Sequence, residues 1–167
     1  DTLQYRLGAV RAGGIAYFTK PINSTELIDQ LDLITASQVQ EPFRIMIVED
    51  SSISLTYYSV VLEQAEMHIK ALLDPMKLLE ALNNFNPDLI LMDLYLPGFN
   101  GIELAKVVRQ MDGFQNIPIV HLVNENDLNT QSDVINFRGG DFLIKPISPM
   151  QLVAAITSRV SRMRSLH

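Results

Sequence analysis

Phe43-Arg44-Ile45-Met46-Ile47-Val48-Glu49-Asp50 is the stretch on which the fold turns. Apart from Arg44, the run up to Val48 is apolar and rich in Ile, without the polar alternation of a half-exposed strand. It reads as a strand buried on both faces, which belongs in a parallel sheet covered by helices. The run stops on two adjacent carboxylates, so charge gathers at the carboxyl end of that strand.

Beyond it the pattern alternates. Residues 53–67 carry Leu55, Tyr58, Val61, Leu62 and Ala65 at helical spacing, and His68 to Leu72 is a second short strand. Asp74-Pro75 has the form of a cap followed by proline in the first helical position, opening a helix from Met76 to Leu82 that Asn86-Pro87 breaks. Leu89 to Asp93 and Ile119 to Val123 are further strands, separated by a helix from Ile102 to Arg109. A helix from Leu128 to Phe137, a strand from Phe142 to Ile144 and a helix opened by Ser148-Pro149 complete the chain. Strand and helix thus alternate five times, the signature of a doubly wound α/β fold on a parallel sheet. Ligands in such sheets gather at the carboxyl ends of the strands, which is where to look for chemistry.

The first forty residues repeat part of this pattern. Tyr17-Phe18-Thr19-Lys20-Pro21-Ile22 parallels Phe142-Leu143-Ile144-Lys145-Pro146-Ile147, and Leu27 and Leu31 align with Leu152 and Ile156. Lys20 and Lys145 stand 125 residues apart, the length of one small domain. The simplest account is a tandem duplication. Residues 1–36 are then the helix, strand and helix that close a first copy, 37–42 a linker, and 43–164 a complete second copy.

Composition narrows the function. With 13 basic residues against 19 acidic ones and a net charge of −6, the balance argues against a nucleic-acid surface, and the one basic cluster, Arg159, Arg162 and Arg164, reads as the solvated face of the terminal helix. Its apolar runs are far too short to cross a bilayer, and the first residues have no secretion signal. The absence of cysteine fits a reducing cytoplasm, the expected location.

Glu49 and Asp50 follow the first strand, Asp93 closes the third, and Lys145 ends the fifth. Taken singly these residues have ordinary explanations: a helix cap for Asp50, a turn before Pro97-Gly98 for Asp93, a surface position for Lys145. Their joint placement at strand ends favours a shared site. Three carboxylates so close repel unless a cation joins them, and hard oxygen donors with open positions suit Mg²⁺. An ionised Asp93 can then attack phosphorus, with the cation and Lys145 neutralising the charge that develops.

Ile47-Val48-Glu49-Asp50-Ser51, Met92-Asp93-Leu94-Tyr95-Leu96-Pro97-Gly98, Asn100-Gly101, Ile117-Pro118 and Lys145-Pro146 resemble the receiver (response regulator) family of two-component signalling, in order and with family-like spacing from residue 43 to about 164. The resemblance implies a five-stranded sheet of order 2-1-3-4-5. It implies Asp93 as phosphoacceptor, Asp50 as a direct Mg²⁺ ligand, Glu49 acting on the metal through water, the backbone carbonyl of Tyr95 as a further ligand, and Lys145 paired with the phosphoryl group. The first residues resemble the end of another receiver, with Lys20 in the matching place. A sensor histidine kinase or phosphotransfer protein is the implied partner. The first 40 residues are expected either to dock on the intact domain or to exchange between two chains in a homodimer, since unpaired strand edges invite pairing. One position departs from the family. Val123 stands where Ser or Thr is usual, and it cannot make the hydroxyl's hydrogen bond to the phosphoryl group. Asn124 takes the small-residue place beside it, where it narrows the site or donates a hydrogen bond of its own, and Phe142 occupies the switch aromatic's place.

Leu152, Ile156, Val160, Met163 and Leu166 form an apolar stripe along the last helix. Leu152 and Ile156 are expected against the sheet, and Met163 and Leu166 beyond it, leading to an output domain. Paired receivers ahead of an Arg-rich helix resemble proteins that end in cyclic-di-GMP synthase or phosphodiesterase domains. The expected function is a phosphoryl-accepting switch and not itself an enzyme. The alternative is a pseudo-receiver, a dimerisation or docking module whose switching Val123 impairs. A flavin-type binder needs a glycine loop after the first strand, where Glu49-Asp50-Ser51-Ser52 is acidic instead.

Overall fold

A computed structural model of the chain describes residues 41–129 and 141–166. In chain order these form β1 (Arg44–Val48), α1 (Ser52–Gln64), β2 (His68–Leu72), α2 (Leu78–Phe85), β3 (Leu89–Asp93), β4 (Tyr95–Leu96), β5 (Phe99–Asn100), α3 (Gly101–Val108), β6 (Ile119–Asn124), β7 (Asp141–Lys145) and α4 (Pro149–Ser165). Five strands make one parallel sheet in the order β2-β1-β3-β6-β7. Counted within the sheet, that is 2-1-3-4-5, the flavodoxin-like receiver arrangement the sequence implied. Residues 1–36 and the greater part of the helix expected from Leu128 to Phe137 lie outside the described residues.

The central strands are buried on both faces. Ile45, Ile47, Leu89, Leu91, Val120 and Leu122 pack with Leu55, Tyr58 and Leu62 of α1 and with Leu152, Ile156 and Val160 of α4. On the opposite face Met46, Val48, Ile90, Met92 and Ile119 pack with Leu78, Ala81 and Leu82 of α2 and Val108 of α3. Each such aliphatic side chain stabilises the fold by roughly 1.5–3 kcal/mol, upper values because the unfolded chain is itself partly compact. The strongly apolar strands of the sequence are therefore those with cover on both sides. β2, at the edge, is mostly exposed.

Several boundaries differ from expectation for local reasons. Ser51, not Asp50, caps α1: its side chain accepts from the amide of Ser54 at 3.3 Å, leaving Asp50 free of that role. Asp74 does cap, accepting from Met76 N–H at 3.0 Å, but the chain then makes a 3₁₀ turn over Pro75–Lys77, and α2 begins only at Leu78. α2 ends on Asn86 at φ 52°, because Pro87 disfavours the right-handed helical region for the residue before it. Ser148 and Gln151 cap α4 reciprocally. At the other end of α4, Arg164 donates to Asp88 at 2.8 Å and lies 4.7 Å over the ring of Phe43. Leu166 is exposed as expected, whereas Met163 is half-buried and lines a cavity of about 380 Å³ with Pro87, Phe114 and Ile117.

The segment after Asp93 makes a hairpin that hydrophobic periodicity does not reveal. Leu96 pairs with Phe99 across Pro97-Gly98, and Gly98 has the φ of +77° that a proline-glycine turn of this form requires. The hairpin returns the chain to Gly101, whose N–H donates to Leu94 C=O at 2.7 Å. A Cβ on Gly101 would fall 2.7 Å from the carbonyl oxygen of Asp93 and 3.2 Å from Nδ1 of His121. Helix propensity alone favours alanine over glycine here by about 0.5–1 kcal/mol. The close approach reverses that sign: Gly101→Ala is expected to destabilise by about 1–3 kcal/mol, measured by denaturant unfolding.

Candidate functional site

Three strand ends bring the site together. Val48 is level with Met92 across β1 and β3, so Glu49 and Asp93 follow at the same height on neighbouring strands. Asp93 pairs with Leu122, which pairs with Leu143, so Lys145 stands two residues further along β7 and reaches back with its long side chain. Its Nζ donates to Asp93 Oδ2 at 2.9 Å and to Glu49 Oε2 at 3.3 Å. Glu49 and Asp93 are only 1% and 6% exposed, whereas Asp50, at the mouth, is exposed.

Burial dominates the electrostatics. Glu49 loses most of its hydration, and the negative charge of Asp93 and contact with Asp50 add to that effect. The Ser51 amide, donating at 3.1 Å, and Lys145 pull the other way, and the carboxyl ends at about 7, against an ordinary 4.5. Burial alone would lower Lys145, but its hydrogen bond to Asp93 and the charges of Asp93 and Glu49 outweigh that and raise it, so it stays an ammonium. Tyr58, buried on α1 and facing these three charges, is raised chiefly by burial.

Carboxylate oxygens from Glu49, Asp50 and Asp93 all lie within 4.8 Å of one another. This all-oxygen, partly open donor set fits Mg²⁺, which keeps several waters and takes a few carboxylates. Tyr95, the other expected ligand, is two residues beyond Asp93 at the start of the hairpin. Of the expected switch residues, Val123 is 1% exposed and level with Ile144, and Phe142 is half-buried on β7. Asn124 is exposed, and its amide donates to Asp127 Oδ2 at 3.0 Å, which ties it to the following loop.

Tyr57, beside the site, has no role that the sequence suggested, whereas Tyr58 and His121, expected on the apolar face of the helix and within the strand from Ile119 to Val123, are buried there. Tyr57 and Tyr58 are on the first turns of α1 after the acid pair, and a pair of aromatics so close to two carboxylates was the available signal. His121 is buried beneath the start of α3 and falls to about 4, first through burial and then through the charge of Arg109, so it is a neutral strand residue.

The proton held by Glu49 has two consequences. Because the folded carboxyl binds it more tightly than the unfolded one, stability falls as pH rises from about 4.5 to about 7. Metal binding must also displace it. Mg²⁺ affinity is therefore expected to rise with pH, by up to about tenfold per unit below 7, and to level off above that. Mg²⁺ titrations at about pH 6 and about pH 8 check this, with Glu49→Gln expected to flatten the dependence.

Comparison with known proteins agrees with this geometry. Residues 45–157 match the response regulator receiver domain family. A 76.5 kDa uncharacterised protein of Thiocystis violacea is 35% identical over 166 residues, 99% of this chain. Protein RcaC of Microchaete diplosiphon is 27% identical over 161 residues, 96% of this chain. The chain spans about a quarter of the length of each, 24% in both cases. The DNA-binding response regulator MtrA of Mycobacterium tuberculosis is 34% identical over 121 residues, 71% of this chain and 51% of that protein. Among solved structures, chemotaxis response regulator CheY4 of Vibrio cholerae superposes with a TM-score of 0.63 at 22% identity, covering 71% of this chain and 98% of that one. A response regulator receiver domain protein of Clostridium thermocellum gives 0.66 at 18%, covering 75% and 99%. At those identities the two structures speak for the fold. With the family match covering most of the chain, this protein belongs to the response regulator receiver domain family of two-component signalling.

Proposed function

We propose that the chain accepts a phosphoryl group on Asp93 from a histidine kinase or phosphotransfer protein. The observation that carries the reading is the Lys145 ammonium bridging Asp93 and Glu49 at the mouth of an acidic, metal-sized cluster. An Asp93 carboxylate oxygen attacks phosphorus, the bond from phosphorus to the donor's nitrogen breaks, and the departing imidazole keeps the electron pair. Lys145 then exchanges its carboxylate contact for a phosphoryl oxygen, holding the aspartyl phosphate. Asp50, Asp93, the Tyr95 carbonyl and, through water, Glu49 would hold Mg²⁺, which would supply neutralising charge to the phosphoryl oxygens.

Residues 43–164 are in this reading the complete receiver, 37–42 a linker and 1–36 the end of a preceding receiver. The likeness to the relatives from Thiocystis violacea and Microchaete diplosiphon takes in nearly the whole of this chain, its first residues as well as the receiver. The state of Asp93 passes through the face of α4 and β7 to an output domain, with cyclic-di-GMP turnover in a cytoplasmic protein as the proposed output. That last step rests on the paired arrangement and the Arg-rich end of α4. No helix among the described residues is long and apolar enough to cross a membrane.

Val123 supports a second reading, a pseudo-receiver that docks or dimerises without switching. Its isopropyl group is buried at the strand end, and no hydroxyl is offered there. Intact mass after incubation with acetyl phosphate and Mg²⁺ separates the two. A single phosphoryl adduct, absent in Asp93→Asn and formed about a hundredfold more slowly in Lys145→Ala, is the expected result. No adduct under conditions that label another receiver would favour the docking module and remove the role assigned to Asp93.

A further inference from the structure

We infer that Tyr57 is a positioning residue for Lys145, tying the loop that carries the lysine to the helix that begins after the acid pair. The inference rests on the phosphoryl-acceptor reading and adds to it a residue outside the charged cluster.

Lys145 depends on its loop more than the carboxylates do on theirs. Glu49 directly follows the buried central strand β1 and Asp93 closes its neighbour β3, and both side chains are shorter than that of lysine. Lys145 closes β7, for which β6 is the one strand neighbour among the described residues, and its flexible stem must bring an ammonium to two acceptors at once. The chain leaves the sheet directly after it. Two residues on, the Ile147 carbonyl accepts a hydrogen bond of 2.9 Å from the Tyr57 hydroxyl. Ile147 is itself buried, so this loop is held from the core by its side chain and from α1 by its carbonyl.

Tyr57 is well placed to hold something still. It belongs to α1, whose first turn is capped by Ser51 and begins immediately after Asp50. Its ring packs edge-on against Tyr58, with centroids 5.5 Å apart and planes at 63°. Tyr58 is in turn fixed in the core and faces Lys145, Glu49 and Asp93. Backbone that bears Glu49 and Asp50 is thereby connected to backbone that bears Lys145 through one phenol and one carbonyl. Tyr57 is 38% exposed, so the burial of its ring is incomplete and the hydroxyl contact is its distinctive contribution.

Tyr57→Phe removes only the hydroxyl. Phosphoryl uptake from acetyl phosphate is expected to slow about two- to tenfold, roughly the worth of one neutral hydrogen bond. Mg²⁺ affinity and thermal midpoint are expected to stay near wild type, because the carboxylates and the core are untouched. Lys145 is expected to react faster with a trace amine-acetylating reagent, read by peptide mass spectrometry. A purely structural role would instead lower the midpoint and weaken Mg²⁺ binding together, and that pattern overturns the inference. Unchanged acetylation of Lys145 also overturns it. If wild type takes up no phosphoryl group, the phosphoryl-acceptor reading fails by itself, and the acetylation comparison alone decides the role of Tyr57.

Discussion

The Lys145 ammonium, shared between two carboxylates that have almost no contact with water, is the interaction on which the rest of the site depends. Glu49 and Asp93 sit at the ends of strands that are apolar to their last residues, so hydration cannot offset their repulsion. A buried charge left without its partner is penalised far more than an intact pair is rewarded. Burial, reinforced by the charge of Asp93, outweighs the Lys145 ammonium and raises the Glu49 carboxyl to about 7. The pocket is thus short of positive charge as it stands. A divalent cation held by these carboxylates would relieve that shortage.

A second constraint is steric. The main chain after Asp93 must turn away from the sheet, make a hairpin and re-enter as α3 without displacing the aspartate. Pro97-Gly98 makes the turn, and the missing side chain of Gly101 lets α3 begin against the Asp93 carbonyl. On the other side, α1 departs from Asp50 and α4 from the Lys145 loop, and the Tyr57 hydroxyl joins them. The charged groups are therefore held through backbone placed by apolar packing, with few polar contacts of their own.

Val123 sets the site apart from what its carboxylates promise. The proposed binding and transfer of a phosphoryl group draw on Asp93, Lys145 and the acid pair, all of which converge. Sensing that group at the end of β6 conventionally uses a hydroxyl, and the buried valine has none. The Asn124 amide next to it donates to Asp127. On the proposed function, chemistry and readout are separable in this chain, one resting on strand ends and the other on a single side chain.

Much of this was legible from the order of residues. Ile45 to Val48 and Leu89 to Met92 announced two-faced burial because their side chains alternate across a sheet and are all apolar. Glu49, Asp50, Asp93 and Lys145 stood out because each ends such a run, and a parallel sheet places all those ends on one edge. Element boundaries were less legible: Ser51 or Asp50 can each cap a helix, and only the backbone angles chose Ser51. The roles of Gly101, Tyr57 and Asn124 required the tertiary structure. Each depends on a contact with an atom remote in the chain or on a choice between local partners, the Asp93 carbonyl, the Ile147 carbonyl and Asp127 respectively. The sequence by itself determined which residue types meet at the sheet edge, since periodicity and strand ends are local properties. Tertiary structure alone decided how much charge that edge can bear and what holds it in place, since desolvation and hydrogen-bond partners exist only once the chain has packed.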